Sequence, residues 1–229
     1  MNRLQSIKKA CRLGDKVYSQ VRKIIRIGTT EHELSIEIQK LIRKDNARLS
    51  FRPIVAFGKN ASEPHHKPTD LKLNKKQGFV LFDLGAKVNG YCSDMSRTVF
   101  FGKATSKQKR IYQTVLKAQQ KAIQQLNNLA IKQSVIKASE IDKAARDYII
   151  SQGYPNIPHS VGHGIGKKVH EAFRLSPKSK TILKDGMVFT IEPGIYIKGF
   201  GGVRIEDVYY LNKGKLEQLT KSPKRLIEI

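Results

Sequence analysis

The sequence predicts one α+β domain made of two similar halves. Along the 229 residues the same order recurs twice: two helical segments, then a pair of glycine-opened strands. Each strand pair carries two carboxylates, the first inside a run of Val, Leu, Ile and Phe. The composition, 39% hydrophobic and 27% charged, is that of a globular chain long enough to bury a sizeable core. The pseudo-repeats run from about 1 to 105 and from 106 to 229, and two αα-ββ halves of this kind imply a pseudo-two-fold α+β architecture.

The first helix is expected over residues 3–26, where Leu4, Ile7, Val17, Val21, Ile24 and Ile25 recur at helical spacing. The second runs from Thr30 to Arg43; T-T-E-H-E makes Thr30 an N-cap with acidic residues in the first turn. The strand G-F-V-L-F-D-L-G, Gly78 to Gly85, then passes through a Gly-containing turn into Y-C-S-D-M. In the second half an amphipathic helix starts near Ser106, and another runs from Ser139 to a stop at Gly153. The strands G-M-V-F-T-I-E-P-G, Gly186 to Gly194, and G-V-R-I-E-D-V complete that half.

Counting fixes which way the acids point. Asn89-Gly90 is the preferred two-residue type I′ turn, and it sets Asp83 opposite residue 96. Asp94 has the parity of 96, so both aspartates face one side as diagonal neighbours. Glu192 and Glu206 need an odd-numbered loop to share a face, and K-G-F-G-G, residues 198–202, supplies the glycine. Four carboxylates would then converge where the halves meet. Buried like charges are costly unless paired with cations.

Between the acid pairs lies H-S-V-G-H-G-I-G-K-K-V-H-E, residues 159–171, with three of the six histidines. G-H-G-I-G presents His163 from tightly constrained backbone. Carboxylates with one imidazole suit a hard or borderline divalent ion, and the ligand count fits a two-metal site with bridging carboxylates.

With D-L-G-A…Y-C-S-D-M-S-R-T, H-S-V-G-H-G-I-G…V-H-E, V-F-T-I-E-P-G-I-Y and G-G-V-R-I-E-D-V in this order, the chain resembles the pita-bread (creatinase/aminopeptidase) metallopeptidases. That family includes methionine aminopeptidase, aminopeptidase P (Xaa-Pro aminopeptidase), prolidase and creatinase. The resemblance covers essentially the whole chain as a single catalytic domain, residues 1–229, without the N-terminal creatinase-type domain usual in the Xaa-Pro branch. It implies a fold of pseudo-two-fold αα-ββ halves around a curved antiparallel sheet.

It also implies roles. Asp83 would chelate one metal, Asp94 and Glu206 would bridge both, and His163 and Glu192 would hold the other. Two divalent ions are implied, Mn first, with Co, Zn or Fe as alternatives. A hydroxide bound by both ions would attack the scissile carbonyl, with Glu192 as proton shuttle. His65 and His170 would hydrogen-bond the substrate carbonyl and the tetrahedral intermediate; His66 is the rival to His65. His159 would stand behind the metal ligands or neighbour a proline pocket, with plain packing as the other reading, and Arg204 would pair with a ligand carboxylate or with a substrate carboxylate. Cys92 reads as a small buried hydrophobe and Arg97 as a structural ion-pair partner.

The wording E-P-G-I-Y and G-G-V-R-I-E-D favours an Xaa-Pro aminopeptidase or dipeptidase, a hydrolase acting on short peptides with proline at the second position. The alternative is methionine aminopeptidase; a third reading is a non-catalytic pita-bread protein binding nucleic acid or ribosomes. Net charge +24 and pI about 10.1 would suit nucleic-acid contact, yet the basic residues are scattered singly and in pairs. Apolar runs are too short to span a membrane. The charged N-terminus lacks a signal-peptide core, and two cysteines make no disulfide framework, so the expected setting is cytoplasmic. Monomer and homodimer both remain open.

Overall fold

The computed structural model describes residues 2–76, 78–131 and 135–229. Helix α1 (Arg3–Val21) opens with a capping box. The Asn2 side chain accepts from the Gln5 N–H, and the Gln5 side chain accepts from the Asn2 N–H. Its stripe of Ile7, Ala10, Gly14, Val17, Tyr18 and Val21 is buried. The helix is shorter than the 3–26 periodicity predicts: past Val21 it tightens into a 3₁₀ turn, Arg22–Ile24. Ile24 falls off the buried stripe and is exposed, while the turn brings Ile25 back into the core. Thr30 caps α2 (Glu31–Lys44) through a second capping box with Glu33.

The strands of the first half are β1 (Arg48–Leu49), β2 (Ile54–Phe57), β3 (Phe79–Leu84), β4 (Ala86–Val88), β5 (Tyr91–Cys92) and β6 (Met95–Phe100). From β3 to β6 the chain is one long hairpin in a single register. Asp83 lies opposite Ser96, and Val88 lies opposite Tyr91 around Asn89 and Gly90, both at positive φ as a type I′ turn requires. The ribbon changes sheets at Gly85: its base joins β2, its tip joins β1. A Cβ at Gly85 would lie 2.1 Å from the Ser93 carbonyl oxygen, so only glycine fits this crossing.

The second half contains α3 (Ser106–Ile131), α4 (Ala138–Ser151), β7 (Gly162–His163), β8 (Arg174–Leu175), β9 (Val188–Ile191), β10 (Gly194–Ile197), β11 (Gly201–Arg204), β12 (Asp207–Asn212) and β13 (Lys215–Gln218). Its long hairpin pairs β9 with β12 and β10 with β11. Ile197 faces Gly201, leaving Lys198, Gly199 and Phe200 as a three-residue loop. With Ile191 opposite Asp207 and Gly194 opposite Arg204, that odd loop sets Glu192 across from Glu206.

Alternate residues of β3 serve two cores. Val80, Phe82 and Leu84 pack with α1 and α2, whereas Phe79 and Leu81 pack with α3 and the second half. Asp83 continues the Phe79–Leu81 row, which is why a carboxylate stands inside an apolar run. The halves join through β6: the Glu206 N–H donates to the Ser96 carbonyl at 3.1 Å, and the Arg204 N–H to Thr98 Oγ1 at 3.3 Å. Arg97 is buried, pairs with Asp207 at 2.6 Å and donates to the Glu206 and Ser222 carbonyls. Cys11 and Cys92 are buried free thiols in a small apolar cluster. No helix among the described residues is long and apolar enough to cross a membrane.

Candidate metal centre

The acid pairs meet at one cavity of about 660 Å³. Asp83, Asp94, His163, Glu192 and Glu206 all line it. His163 sits on β7, held by its own N–H on Thr190 Oγ1 at 3.1 Å. Gly162 beside it packs so tightly on β9 that a Cβ would lie 2.0 Å from the Thr190 carbonyl oxygen. His163 Nε2 is 3.3 Å from Glu192 Oε1, 3.6 Å from Asp94 Oδ2 and 4.0 Å from Glu206 Oε1.

The His163 ring is fixed in one tautomer. Nδ1 lies 3.1 Å from the Gly164 carbonyl, which can only accept, so Nδ1 carries the proton and Nε2 presents its lone pair to the acids. Burial, followed by the nearby His170, pushes the His163 pKa down to about 3, so the ring is neutral near pH 7. Where these carboxyls are ionised, a lone pair facing them is repulsive without a cation between them.

The carboxylates point the same way. Asp83 Oδ1, Asp94 Oδ1 and Glu206 Oε1 are buried and accept no hydrogen bond among the described residues. Burial first, and the neighbouring acids next, hold the Asp94 and Glu206 carboxyls well above the usual range. Glu192 is pushed up to about 8, chiefly by burial. Orphaned oxygens around one imidazole lone pair are the donor set of a divalent-cation site, and Asp94, His163 and Glu206 each offer an atom within 4.8 Å of the others.

One oxygen each of Glu206, Glu192 and Asp83 is tied back. Glu206 Oε2 accepts from Ser96 Oγ at 2.8 Å, and Thr190 Oγ1 donates to Glu192 Oε1 at 3.3 Å. Arg204 is buried and donates in four directions. Its Nη2 reaches Asp83 Oδ2 at 2.7 Å, Nε reaches Ser96 Oγ at 2.7 Å, and Nη1 reaches the Pro64 carbonyl and the Tyr196 hydroxyl. Of its two expected partners, the one in place is therefore the ligand-type carboxylate. Tyr196 in turn donates to His159 Nε2 at 2.8 Å, while His159 Nδ1 donates to the Ser160 carbonyl. Burial and then Arg204 lower the His159 pKa to about 4.

His65 and His170 lie at the exposed rim of the cavity. The His170 ring stands 4.3 Å from that of His163, edge to face. The rival His66 turns away and is buried against Glu31, 2.8 Å from its carboxylate. Sequence reasoning passed over several residues that shape this site. Tyr196 stood within the quoted E-P-G-I-Y, and Ser96 lay opposite Asp83 in the register, so both were reachable. Asp142 and Arg146 were not: their bidentate pair on α4 holds the Ile157 and His159 carbonyls across a loop. Arg174 lines the cavity and makes no ion pair among the described residues.

Two αα-ββ halves closing on a carboxylate–imidazole cage define a class, the pita-bread metallohydrolase fold. Residues 5–213 match Metallopeptidase family M24, and the chain belongs to that family. The chain is 40% identical over 228 residues to the putative dipeptidase YkvY of Bacillus subtilis, covering 99% of this chain and 61% of that protein. It is 38% identical over 226 residues to a Xaa-Pro dipeptidase of Pyrococcus horikoshii, covering 98% and 62% respectively. The solved Xaa-Pro dipeptidase from Bacillus anthracis superposes with a TM-score of 0.93 at 39% identity, over 99% of this chain and 62% of that one. The chain thus spans about three-fifths of the length of the curated relatives it matches.

Proposed function

We propose that this chain is the catalytic part of a two-metal exopeptidase that hydrolyses the bond before proline in short peptides. The observation that carries the reading is the trio of buried, donorless oxygens on Asp83, Asp94 and Glu206 beside the His163 Nε2 lone pair. Asp83 would hold an ion with its unbonded oxygen, since Arg204 engages Oδ2. Asp94, Glu206, His163 and Glu192 would complete the ligand set. When bound, such ions supply Lewis acidity that lowers the pKa of water and polarises a carbonyl.

The remaining chemistry belongs to side chains. Glu192 takes the proton of the attacking water and delivers it to the leaving imino nitrogen. His65 and His170 at the rim hydrogen-bond the substrate carbonyl. His159, with Pro158 beside it, flanks the space for the prolyl ring. Arg174 offers a guanidinium at the cavity mouth, suited to the free carboxylate of a dipeptide or tripeptide. Arg204, with its donors taken by protein groups, acts on Asp83 and Ser96 rather than on substrate. The names of the relatives, Xaa-Pro dipeptidase among them, support the preference for proline.

The test is initial hydrolysis rate with added Mn on a Gly-Pro-Xaa and a Met-Ala-Xaa tripeptide. Cleavage of the first alone is expected. Cleavage of the second alone would reassign the chain as a methionine aminopeptidase, and silence on both would overturn the enzymatic reading.

A further inference from the structure

Glu31 is the first residue of α2, and its side chain is fully buried outside the metal cluster. Its Oε1 accepts from the Phe57 N–H at 2.7 Å and from Asn60 Nδ2 at 2.9 Å. Its Oε2 accepts from the Thr69 N–H at 3.0 Å, from Thr69 Oγ1 at 2.7 Å and from His66 Nε2 at 2.8 Å. All five donors belong to one stretch, residues 57–69, and that stretch carries His65 to the cavity rim. A buried carboxylate with every lone-pair direction engaged is a stiff anchor, because charge-assisted bonds in a dry site are strong and costly to break.

The stretch has a second tie at its far side. The Pro64 carbonyl, next to His65, accepts from Arg204 Nη1 at 3.1 Å, and the same guanidinium holds Asp83. Adjacent histidines are thereby split in role: His66 faces inward to Glu31, and His65 is left facing the cavity.

We propose that Glu31 is a positioning residue, which acts through His66 and the 57–69 segment to fix His65 against the bound substrate. The proposal rests on the role given to His65 above. Only interactions held in the productive geometry lower the barrier, so loosening this anchor costs turnover more than binding.

A double-mutant cycle on hydrolysis of the Gly-Pro-Xaa tripeptide with Mn tests it. Glu31→Gln is expected to lower kcat by up to about 100-fold, the order of cost of a misplaced catalytic contact, with bound-metal content unchanged. In a His65→Ala background the same substitution is expected to change kcat less than about twofold. Thr69→Val, which removes one donor and keeps the shape, is the milder second probe should Glu31→Gln fail to fold, with the same loss of effect in the His65→Ala background. Equal losses in both backgrounds would overturn the proposal while leaving His65 its role. An unaltered kcat in the Glu31→Gln or Thr69→Val variant would also overturn it. A wild-type rate in His65→Ala alone would overturn the role of His65 and the proposal with it.

Discussion

Asp94 carries the sharpest conflict between stability and use. It is 5% exposed, one oxygen has no donor among the described residues, and burial first, then Glu206, Asp83 and Glu192, push its carboxyl towards the protonated form. Removing such a charge relieves repulsion while deleting a proposed metal ligand. Asp94→Asn is therefore expected to raise the melting temperature of the metal-free protein at pH 8, and to lower hydrolysis at least about 100-fold, beyond the loss usual for groups that merely support ligands. Calorimetry with and without chelator, beside a peptide assay, checks both arms. A variant that is both destabilised when metal-free and fully active would contradict the site. Arg204 shows the complementary logic: one buried guanidinium satisfies Asp83, Ser96, Tyr196 and the Pro64 carbonyl together, so its charge is spent on orientation.

The site depends on two hairpins and one short strand meeting at close range. A two-residue turn in the first hairpin makes Asp83 and Asp94 diagonal neighbours, and a three-residue loop in the second makes Glu192 and Glu206 direct neighbours. Different loops thus give different spacings within one pseudo-symmetric plan. Strand β7 is only two residues long and is placed by contact rather than by length. Gly162→Ala would force a Cβ to 2.0 Å from the Thr190 carbonyl oxygen, and overpacking of this kind costs roughly 1–3 kcal/mol. The expected result is a melting temperature lower by roughly 2–4 °C per kcal/mol in a chain of this size. Weaker metal binding should accompany it, since His163 moves with the strand; thermal melts and a metal titration read the two effects.

For the molecule as a whole, folding gathers carboxylates inward. Glu31, Asp94, Asp142, Glu206 and Asp207 are all buried, against Arg97, Arg146 and Arg204 among the basic residues, so the surface is slightly more basic than the net +24 alone suggests. The buried groups also set how metal-free stability depends on pH. Glu192 moves from an ordinary 4.5 to about 8, so in that interval the folded state binds protons that the unfolded state has released. Stability then falls as pH rises through the interval. His163 and His159 are lowered from 6.5 to about 3 and about 4, which acts oppositely, but only below pH 6.5. Between pH 6.5 and 8 the acids act alone. The chelated protein should melt at progressively lower temperature across that window, and saturating Mn should raise the curve and flatten it, because ligand bound only to the folded state adds stability. Parallel curves with and without metal would contradict the cage.

The sequence by itself determined the two-half plan, the helix starts and the side on which the acids lie. These follow from local rules: capping at Thr30, the Asn89-Gly90 turn, and a period of two that gives Asp83 and Asp94 one face. It placed His65 and His66 side by side without separating their surroundings, and the helix it predicted through residue 26 ends at Val21. Only the tertiary structure decided that His66 serves Glu31, that Arg204 takes Asp83 as its partner, and that Arg146 holds the His159 loop. The physical reason is range. Turns, caps and strand parity act between residues a few positions apart, whereas a buried charge chooses its partner from whatever the fold packs beside it, here up to 140 residues away.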